Sequence, residues 1–204
     1  MSTNQQPQFS TWEERYQQQA VETMPWFYPE LDDDLKQTLD VLGLRSGSAL
    51  DLGTGPGTQA MQLARRGFDV TATDISEAAI RLAHETAAAQ GLAISWQQDD
   101  IQSSRLSGPF DLIFDRGCFH VLPPERRQEY ASTVAGLLKL GGYLFLKCFS
   151  HLEPGTQGPN RFSPEQLREI FSSHMQVRSI AETVYQGTLD PLPRALFGVF
   201  KREA

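Results

Sequence analysis

The residues best suited to chemistry are an acid and three glycines that follow a short apolar run. In the stretch ALDLGTGPGT, Asp51 precedes glycines at positions 53, 55 and 57. Glycines at every second position allow a tight turn whose backbone can approach a ligand closely, and such turns at strand ends commonly hold nucleotides. The stretch therefore predicts a ligand-binding turn with a carboxylate beside it.

The glycine spacing separates two classes of nucleotide ligand. The dinucleotide pattern GxGxxG, counted from Gly53 and Gly55, needs a third glycine at position 58, where this chain has Thr58. Asp51 lies two residues before Gly53 and can meet a cationic ligand. S-adenosylmethionine carries an ammonium and a sulfonium group, so the spacing favours it over a nicotinamide or flavin dinucleotide.

Other polar residues with chemical potential follow the next predicted strands. Asp74 ends the second predicted strand in DVTATDIS, Asp99 and Asp100 end WQQDD, and Asp115 and His120 lie in FDLIFDRGCFHVLP. Because the carboxyl ends of parallel strands meet at one edge of a sheet, we expect these side chains to lie near the glycine turn. Cys118 and Cys148 lack metal-ligand spacing, so no metal site is predicted.

The elements that must position these residues alternate between short β-branched or aromatic runs and longer helical stretches, which is typical of βαβ units. The predicted strands are Ser48–Asp51, Asp69–Thr73, Ile94–Gln97, Phe110–Phe114, Tyr143–Cys148, Val177–Val184 and Ala195–Phe200. The last two are joined without a helix, which predicts an antiparallel hairpin. The predicted fold is α/β, a Rossmann-like seven-stranded, mostly parallel sheet with helices on both faces and an antiparallel C-terminal edge hairpin.

Helix boundaries are indicated by capping residues. Ser76 precedes an alanine-rich helical stretch that Gly91 ends. Ser163, followed by Pro164 and Gln166, predicts a second helix that begins with a capping box. Further helices are expected around Leu35, Leu39 and Leu42, and around Met61 and Leu63.

Composition limits the function classes. A chain of 204 residues, 40% hydrophobic and 21% charged, is typical of one globular domain with a full core. A net charge of -7 without a basic cluster disfavours a nucleic-acid partner. The absence of a leader-like stretch and of a run of about 20 apolar residues predicts a cytoplasmic protein without a membrane partner. The oligomeric state, monomer or homodimer, stays open.

The N-terminal segment is rich in aromatic residues, including Trp12, Tyr16 and Trp26. Aromatic area drives burial, so this arm covers either the protein's own core or a bound ligand. We predict an arm or lid over residues 1–34 and a ligand-binding domain over residues 35–204.

From about Leu35 onward the sequence resembles the class I S-adenosylmethionine-dependent methyltransferases, because LDLGTGPG is similar to their first motif. The resemblance implies that Asp51 orients the methionine part of the cofactor, Asp74 accepts hydrogen bonds from the ribose hydroxyls, and Ile75 lies against the adenine. In WQQDDIQ it implies an acid for the adenine amino group, with Asp100 and Ile101 favoured and Asp99 as the alternative.

The resemblance also assigns the stretch after the fourth strand. It implies that Asp115 and the backbone of Arg116 and Gly117 line the methionine end, with His120 near the transferred methyl group. The implied cofactor-binding residues are Asp51, Gly53, Thr54, Gly55, Gly57, Asp74, Ile75, Asp100, Ile101, Asp115, Arg116, Trp12 and Trp26. The catalytic candidates are His120 and Asp115.

A looser resemblance points to one branch of that family. DRGCFHVLPPERR, PWFYPELD and GPNRFSPEQL are similar to the thiopurine S-methyltransferase and tellurite-resistance type, which implies that Trp12 and Trp26 help close the cofactor site. The N-terminal arm is shorter than in the thiopurine enzymes, so the acceptor cannot be carried over.

The expected function is methyl transfer from S-adenosylmethionine to a small molecule, with S-adenosylhomocysteine as product and a thiol or other soft nucleophile as acceptor. The acceptor pocket is expected to include the arm, the Cys118–Pro123 turn and the Ser150–Ser163 loop, with Arg161 either binding an anionic group or exposed. The alternatives are an O- or N-methyltransferase with His120 as base, a non-catalytic S-adenosylmethionine-binding protein, and an aminopropyltransferase.

Overall fold

The computed structural model describes residues 11–203, so the start of the predicted arm, residues 1–10, lies outside the described residues. The strands are β1 (Gly47–Leu52), β2 (Phe68–Asp74), β3 (Ser95–Gln98), β4 (Phe110–Arg116), β5 (Leu138–Ser150), β6 (Arg161–Phe162), β7 (Gln176–Val184) and β8 (Arg194–Lys201). The helices are α1 (Trp12–Gln18), α2 (Asp33–Leu42), α3 (Thr58–Arg65), α4 (Glu77–Ala89), α5 (Arg127–Leu137) and α6 (Pro164–Phe171).

The strands form one mixed sheet with the order β3-β2-β1-β4-β5-β8-β7, and β6 pairs with β5 beside this path. β1 to β5 are parallel, whereas β8 is antiparallel to both β5 and β7. The predicted strands and the antiparallel hairpin are confirmed, and β6 is an addition that the sequence analysis missed. The chain runs outward from β1 to β3 and from β4 to β5, so the order changes direction between β1 and β4, where open α/β sheets bind ligands.

Alternating residues of the central strands pack on the two faces of the sheet. In β1, Ala49 belongs to the core that α2 and α3 cover, while Leu50 belongs to the core that α5 and α6 cover. In β4, Leu112 and Phe114 join the first core and Ile113 joins the second. A strand buried on both sides must be nearly continuously apolar, and this burial fixes its register.

The predicted caps are in place. Ser76 Oγ accepts a hydrogen bond from Ala79 N at 3.1 Å and begins α4. Ser163 and Gln166 form the predicted capping box of α6, with each side chain accepting a backbone N–H of the other residue. Helices α1 and α5 were not predicted: Thr11 caps α1 by accepting a hydrogen bond from Glu14 N at 3.2 Å, whereas α5 has no side-chain cap.

A buried ion cluster fastens the segment before α2 to the sheet. Lys147 in β5 is fully buried, and its Nζ lies 2.6 Å from Asp32 Oδ2 and 2.7 Å from Asp34 Oδ2. Arg116 Nε also donates to Asp32 Oδ2, at 3.1 Å. A buried cation must be compensated by nearby anions, so this cluster fixes the position of the segment that joins the arm to α2. No helix within residues 11–203 has both the length and the apolar character that a membrane span needs.

Candidate functional site

A cavity of about 890 Å³ opens at the carboxyl ends of the parallel strands. Two groups of residues that line it are named here. The carboxylate wall consists of Asp51, Asp74 and Asp99 with the glycine turn 53–55. The aromatic wall consists of Trp26, His120, Phe149 and Tyr185 with the segment 153–161. The predicted residues Trp12, Ile75, Asp100, Ile101 and Arg116 also line this cavity.

The glycine turn has the backbone conformation that its composition predicts. Gly53 and Gly55 have φ of 70° and 52°, a left-handed region that side chains disfavour. A Cβ on Gly55 would lie 2.5 Å from Tyr16 Oη, so the arm needs this glycine for its approach. Gly57 differs from its predicted role: a Cβ there would meet Trp96 and Ala83 at 2.7 and 2.8 Å, and Gly57 does not line the cavity.

Asp51 is a buried carboxyl at the end of β1. Thr54 Oγ1 donates a hydrogen bond to its Oδ2 at 2.5 Å. None of the ion pairs within residues 11–203 includes Asp51. Burial therefore raises the pKa of Asp51 to about 7. A cation placed beside this carboxyl would favour its ionised form.

Asp74 ends β2 and holds the glycine turn. Its Oδ2 accepts a hydrogen bond from Gly55 N and its Oδ1 one from Ser76 N, both at 2.9 Å. Burial raises the pKa of Asp74, while the backbone donors Ser76 and Gly55 act in the opposite direction. Each carboxylate oxygen has a further lone pair, so both can also accept a ligand hydroxyl. Ile75, next in the chain, exposes half of its surface at the cavity.

The two acids after β3 have different environments. Asp99 is buried; its Oδ1 accepts Arg105 N at 2.9 Å, and its Oδ2 has no hydrogen-bond partner among residues 11–203. Asp100 is partly exposed, and its Oδ1 accepts Gln102 N at 3.0 Å at the start of a short 3-10 turn. An unpaired buried carboxylate oxygen at a cavity is a strong indication of a ligand contact.

Asp115 does not line the cavity, contrary to the sequence expectation. Its Oδ1 accepts the backbone N–H groups of Gly117 and Cys118, and its Oδ2 accepts Phe119 N and Tyr130 Oη. Burial raises the pKa of Asp115 to about 6. The carboxyl is therefore a fully bonded support for the turn that follows β4, and that turn carries His120.

Arg116 joins three segments beneath the cavity. Besides Asp32, it donates to Trp26 O at 3.0 Å and to Gln186 O. Its guanidinium carbon lies 4.4 Å from the centre of the Tyr185 ring, a cation–π geometry. This arginine fixes the arm and the loop between β7 and β8 to the end of β4.

His120 is 5% exposed and belongs to the aromatic wall. Its ring stacks on Tyr185 with centroids 5.8 Å apart and meets the edge of Phe149 at 5.2 Å. Within residues 11–203 its Nδ1 has no hydrogen-bond partner. Burial, together with the positive charge of Arg116, lowers the pKa of His120 to about 3. The ring is neutral at physiological pH.

The arm lies against the cavity through Trp12, Tyr16 and Trp26. Trp12 and Trp26 pack edge to face with centroids 5.5 Å apart. Trp26 Nε1 donates to Tyr16 Oη at 3.3 Å, and burial raises the pKa of Tyr16. Glu13 Oε2 accepts hydrogen bonds from Ser76 Oγ at 2.7 Å and from the N-terminus of α4 at 3.0 Å. No sequence motif indicated this contact, which joins residues 63 positions apart.

Comparisons with known proteins agree with this arrangement. The methyltransferase domain family matches residues 49–142, which include the glycine turn and the ends of β2, β3 and β4. The chain is similar to the 2-heptyl-1-hydroxyquinolin-4(1H)-one methyltransferase of Mycobacteroides abscessus, with 29% identity over 189 residues that cover 89% of this chain and 82% of that protein.

Solved structures share the fold. The structure that reports conversion of a disulfide bond into a thioacetal group during echinomycin biosynthesis superposes with a TM-score of 0.77 and 24% identity, covering 88% of this chain and 86% of that chain. TehB from Haemophilus influenzae gives a TM-score of 0.71 and 21% identity, covering 85% of this chain and 63% of that chain.

Proposed function

We propose that this chain is a class I S-adenosylmethionine-dependent methyltransferase that resembles the TehB branch. We further propose that it methylates a small molecule whose attacking atom arrives deprotonated or is inherently soft, with a thiolate as the preferred case. The observation that carries the proposal is the contrast within one cavity: three buried carboxyls line it, while its histidine, His120, is neutral and has no carboxylate partner among residues 11–203. The division into an arm, residues 1–34, and a methyltransferase domain, residues 35–204, stays a prediction, and we propose that the described part of the arm, residues 11–34, covers this cavity.

The residues present fit the cofactor. Asp51, buried without an ion pair among the described residues, suits the methionine ammonium. Asp74 suits the ribose hydroxyls through the free lone pairs of its two oxygens. For the adenine amino group we propose Asp99, because its Oδ2 is buried and unpaired, in preference to Asp100, which the sequence favoured.

The chain's contribution to methyl transfer is proposed to be alignment. The bound cofactor supplies a methyl group that its sulfonium already makes electrophilic. Holding two reactants in line can supply about 7–11 kcal/mol of a barrier, whereas a general base contributes about 10²–10⁴-fold in rate. The cavity of about 890 Å³ lies near the top of the range of about 300–1,000 Å³ for small-molecule sites, which suits two ligands that meet inside it.

His120 is poorly suited to act as the general base. An efficient base has a pKa near the working pH, and burial between Tyr185 and Phe149 lowers the pKa of His120 to about 3. No carboxylate within residues 11–203 hydrogen-bonds to Nδ1 to stabilise an imidazolium. We therefore assign His120 to hydrogen bonding with the acceptor. An amine or a simple phenol, which must lose a proton to a base, is the less favoured acceptor.

The similarity to the quinolone methyltransferase supports an acceptor of this kind. The substrate in that protein's name carries a hydroxyl on a ring nitrogen and a heptyl chain. Such an N-hydroxyl ionises more readily than a phenol, so it can arrive as an anion. The aromatic wall here offers the apolar surface that a similar ring system or an aryl thiol would need.

The proposal is tested by mass spectrometry with methyl-labelled S-adenosylmethionine. The purified protein is incubated with thiophenol, 2-heptyl-1-hydroxyquinolin-4(1H)-one, 4-nitrobenzyl alcohol and benzylamine. We expect label in the thiol or the N-hydroxy compound and little in the alcohol or the amine. Label confined to the amine or the alcohol would contradict the acceptor class, and binding of the cofactor without turnover of any compound would favour a non-catalytic binding protein.

A further inference from the structure

We propose that Arg161 and Asn160 are positioning residues that hold the segment 153–160 as a fixed wall of the cavity, and that this wall determines which acceptors fit. The inference rests on the proposed function, because it assumes that the acceptor binds beside this segment. The segment lies within the Ser150–Ser163 loop, and most of its residues line the cavity.

Arg161 was predicted either to bind an anionic group of the acceptor or to be exposed, and in the structure its guanidinium faces its own loop. Its guanidinium donates to four backbone carbonyl oxygens of the segment. Nε donates to Glu153 O at 2.9 Å, Nη1 to Pro159 O at 3.2 Å, and Nη2 to Pro154 O at 3.1 Å and to Gln157 O at 3.0 Å. An arginine has five N–H donors in a rigid fork, so this set of contacts uses most of its capacity.

The segment needs such a support because it cannot order itself. It contains no helix or strand, and Gly155 and Gly158 have φ of 82° and 85°. Glycines in this region lose much conformational freedom when they are fixed. The planar guanidinium of Arg161 donates hydrogen bonds to carbonyl oxygens from 153 to 159 and thereby closes the segment into a compact loop.

Asn160 joins this closed loop to the turn that carries His120. Its backbone N donates to His120 O at 2.8 Å, and its Nδ2 donates to His120 O at 2.9 Å and to Leu122 O at 3.1 Å. On the other side, Glu153 Oε2 accepts Arg194 N of β8 at 2.6 Å. The segment is thus attached both to the His120 turn and to the sheet.

These attachments involve the aromatic wall alone. None of the hydrogen bonds of Arg161 or Asn160 within residues 11–203 reaches Asp51, Asp74 or Asp99. A more mobile segment should therefore lower the affinity for the acceptor and leave the affinity for the cofactor unchanged. Misplacement of a reactant by about 1 Å can cost up to about 10²-fold in rate. A mobile wall should therefore also reduce the specificity of the enzyme for one acceptor over another.

The test compares Arg161→Lys and Asn160→Ala with Arg168→Lys, a control at an exposed arginine on α6. A lysine ammonium cannot reach four carbonyl oxygens at once, so Arg161→Lys keeps the positive charge but loses the set of hydrogen bonds that holds the segment. Three quantities are measured on the full chain: amide hydrogen exchange with S-adenosylhomocysteine bound, cofactor Kd by calorimetry, and KM and kcat for thiophenol and for 2-heptyl-1-hydroxyquinolin-4(1H)-one.

For Arg161→Lys and Asn160→Ala we expect exchange within 153–160 to rise by about tenfold, while exchange in β1 and β4 is unchanged. The acceptor KM should rise roughly 5- to 20-fold, with cofactor Kd within about twofold. The ratio of the kcat/KM values for the two acceptors should fall towards one. The control variant Arg168→Lys should leave exchange, cofactor Kd and both acceptor constants at their wild-type values.

Unchanged exchange within 153–160 in both variants would overturn the positioning role, and so would an equal loss of cofactor and acceptor affinity. If the wild-type protein methylates neither compound, the proposed acceptor class is wrong, whereas the exchange result still decides whether Arg161 holds the wall. The two failures are therefore distinguishable.

Discussion

The carboxylate wall and the aromatic wall of the same cavity are built in different ways. Asp51, Asp74 and Asp99 come from the ends of three adjacent parallel strands, one from each. The aromatic wall draws Trp26 from the arm, His120 from the turn after β4, Phe149 from β5 and Tyr185 from the end of β7. The first wall is positioned by the sheet itself, and the second by contacts between distant segments.

This difference has a functional consequence. A wall fixed by strand order keeps its geometry wherever the sheet keeps that order, because the carboxyl ends of the strands always meet there. A wall made from connecting segments can change without disturbing the sheet, since loops tolerate variation that strands do not. The variants below test this division, beginning with the largest expected effect.

Removal of the Asp74 carboxylate should have the largest effect on the cofactor. Asp74→Ala loses the charged hydrogen bonds proposed for the ribose and releases Gly55 N from its partner. Charge-assisted hydrogen bonds contribute roughly 1.5–3 kcal/mol, so the Kd for S-adenosylmethionine should rise about 10- to 100-fold in calorimetry. Asp69→Ala, at an exposed acid on the same strand, is the matched control. An unchanged Kd in Asp74→Ala would remove Asp74 from the site.

Cofactor affinity should depend on pH through Asp51. Its pKa of about 7 means that it holds a proton below that pH, and pairing with the ammonium requires the proton to leave. One pKa unit corresponds to about 1.4 kcal/mol, so the Kd should rise about tenfold per pH unit below 7 and be flat just above it. Asp51→Asn should bind weakly at every pH without this slope. A slope that persists in the variant would show that another group titrates.

The same group should affect the stability of the cofactor-free protein in the opposite sense. Because the folded-state pKa of Asp51 lies above its unfolded value of about 3.9, the unfolded state releases its proton first as pH rises. The carboxyl therefore lowers stability progressively from about pH 4 to pH 7. Asp51→Asn should raise the Tm relative to the wild type at pH 7 by more than at pH 4.5. Equal shifts at both pH values would contradict a raised pKa.

The two acids after β3 offer a paired comparison of smaller size. Asp99→Asn removes a buried acceptor proposed for the adenine amino group, at a cost of about 1–2 kcal/mol, so the Kd should rise roughly 5- to 30-fold. Asp100→Asn should change it by less than about twofold, because that side chain caps a turn. Calorimetry with S-adenosylhomocysteine measures both. The reverse order would restore the assignment that the sequence favoured.

The two walls also differ in how far the sequence could predict them. The predicted fold is confirmed, and the match of residues 49–142 to the methyltransferase domain family supports the predicted enzyme class. The glycine turn and the strand-end acids are local signals that the sheet brings together. Asp115 has the same local signal as Asp74, yet Tyr130 and three backbone N–H groups of the next turn use its oxygens. That outcome depends on a helix, α5, whose start carries no cap signal.

The contacts of the aromatic wall had no comparable signal. Arg161 was predicted either to bind an anionic group or to be exposed, and neither prediction included the four carbonyl oxygens of its own loop to which it donates. Tyr16 lines the cavity and Glu13 bonds Ser76 because α1 packs beside α4, which is a tertiary contact between remote segments. The neutral state of His120 follows from the burial of its ring, which a motif cannot report.

The central claim, that the acceptor arrives deprotonated and no protein base acts, is tested most directly by the pH dependence of kcat/KM for a series of substituted thiophenols. The measurement is made with the wild type and with His120→Gln. The account predicts that the rate follows the thiolate fraction, with a midpoint that moves with the pKa of each thiophenol, and that the variant loses less than about fivefold. A midpoint that is the same for every acceptor and disappears in the variant, together with a loss of more than about 100-fold, would contradict it.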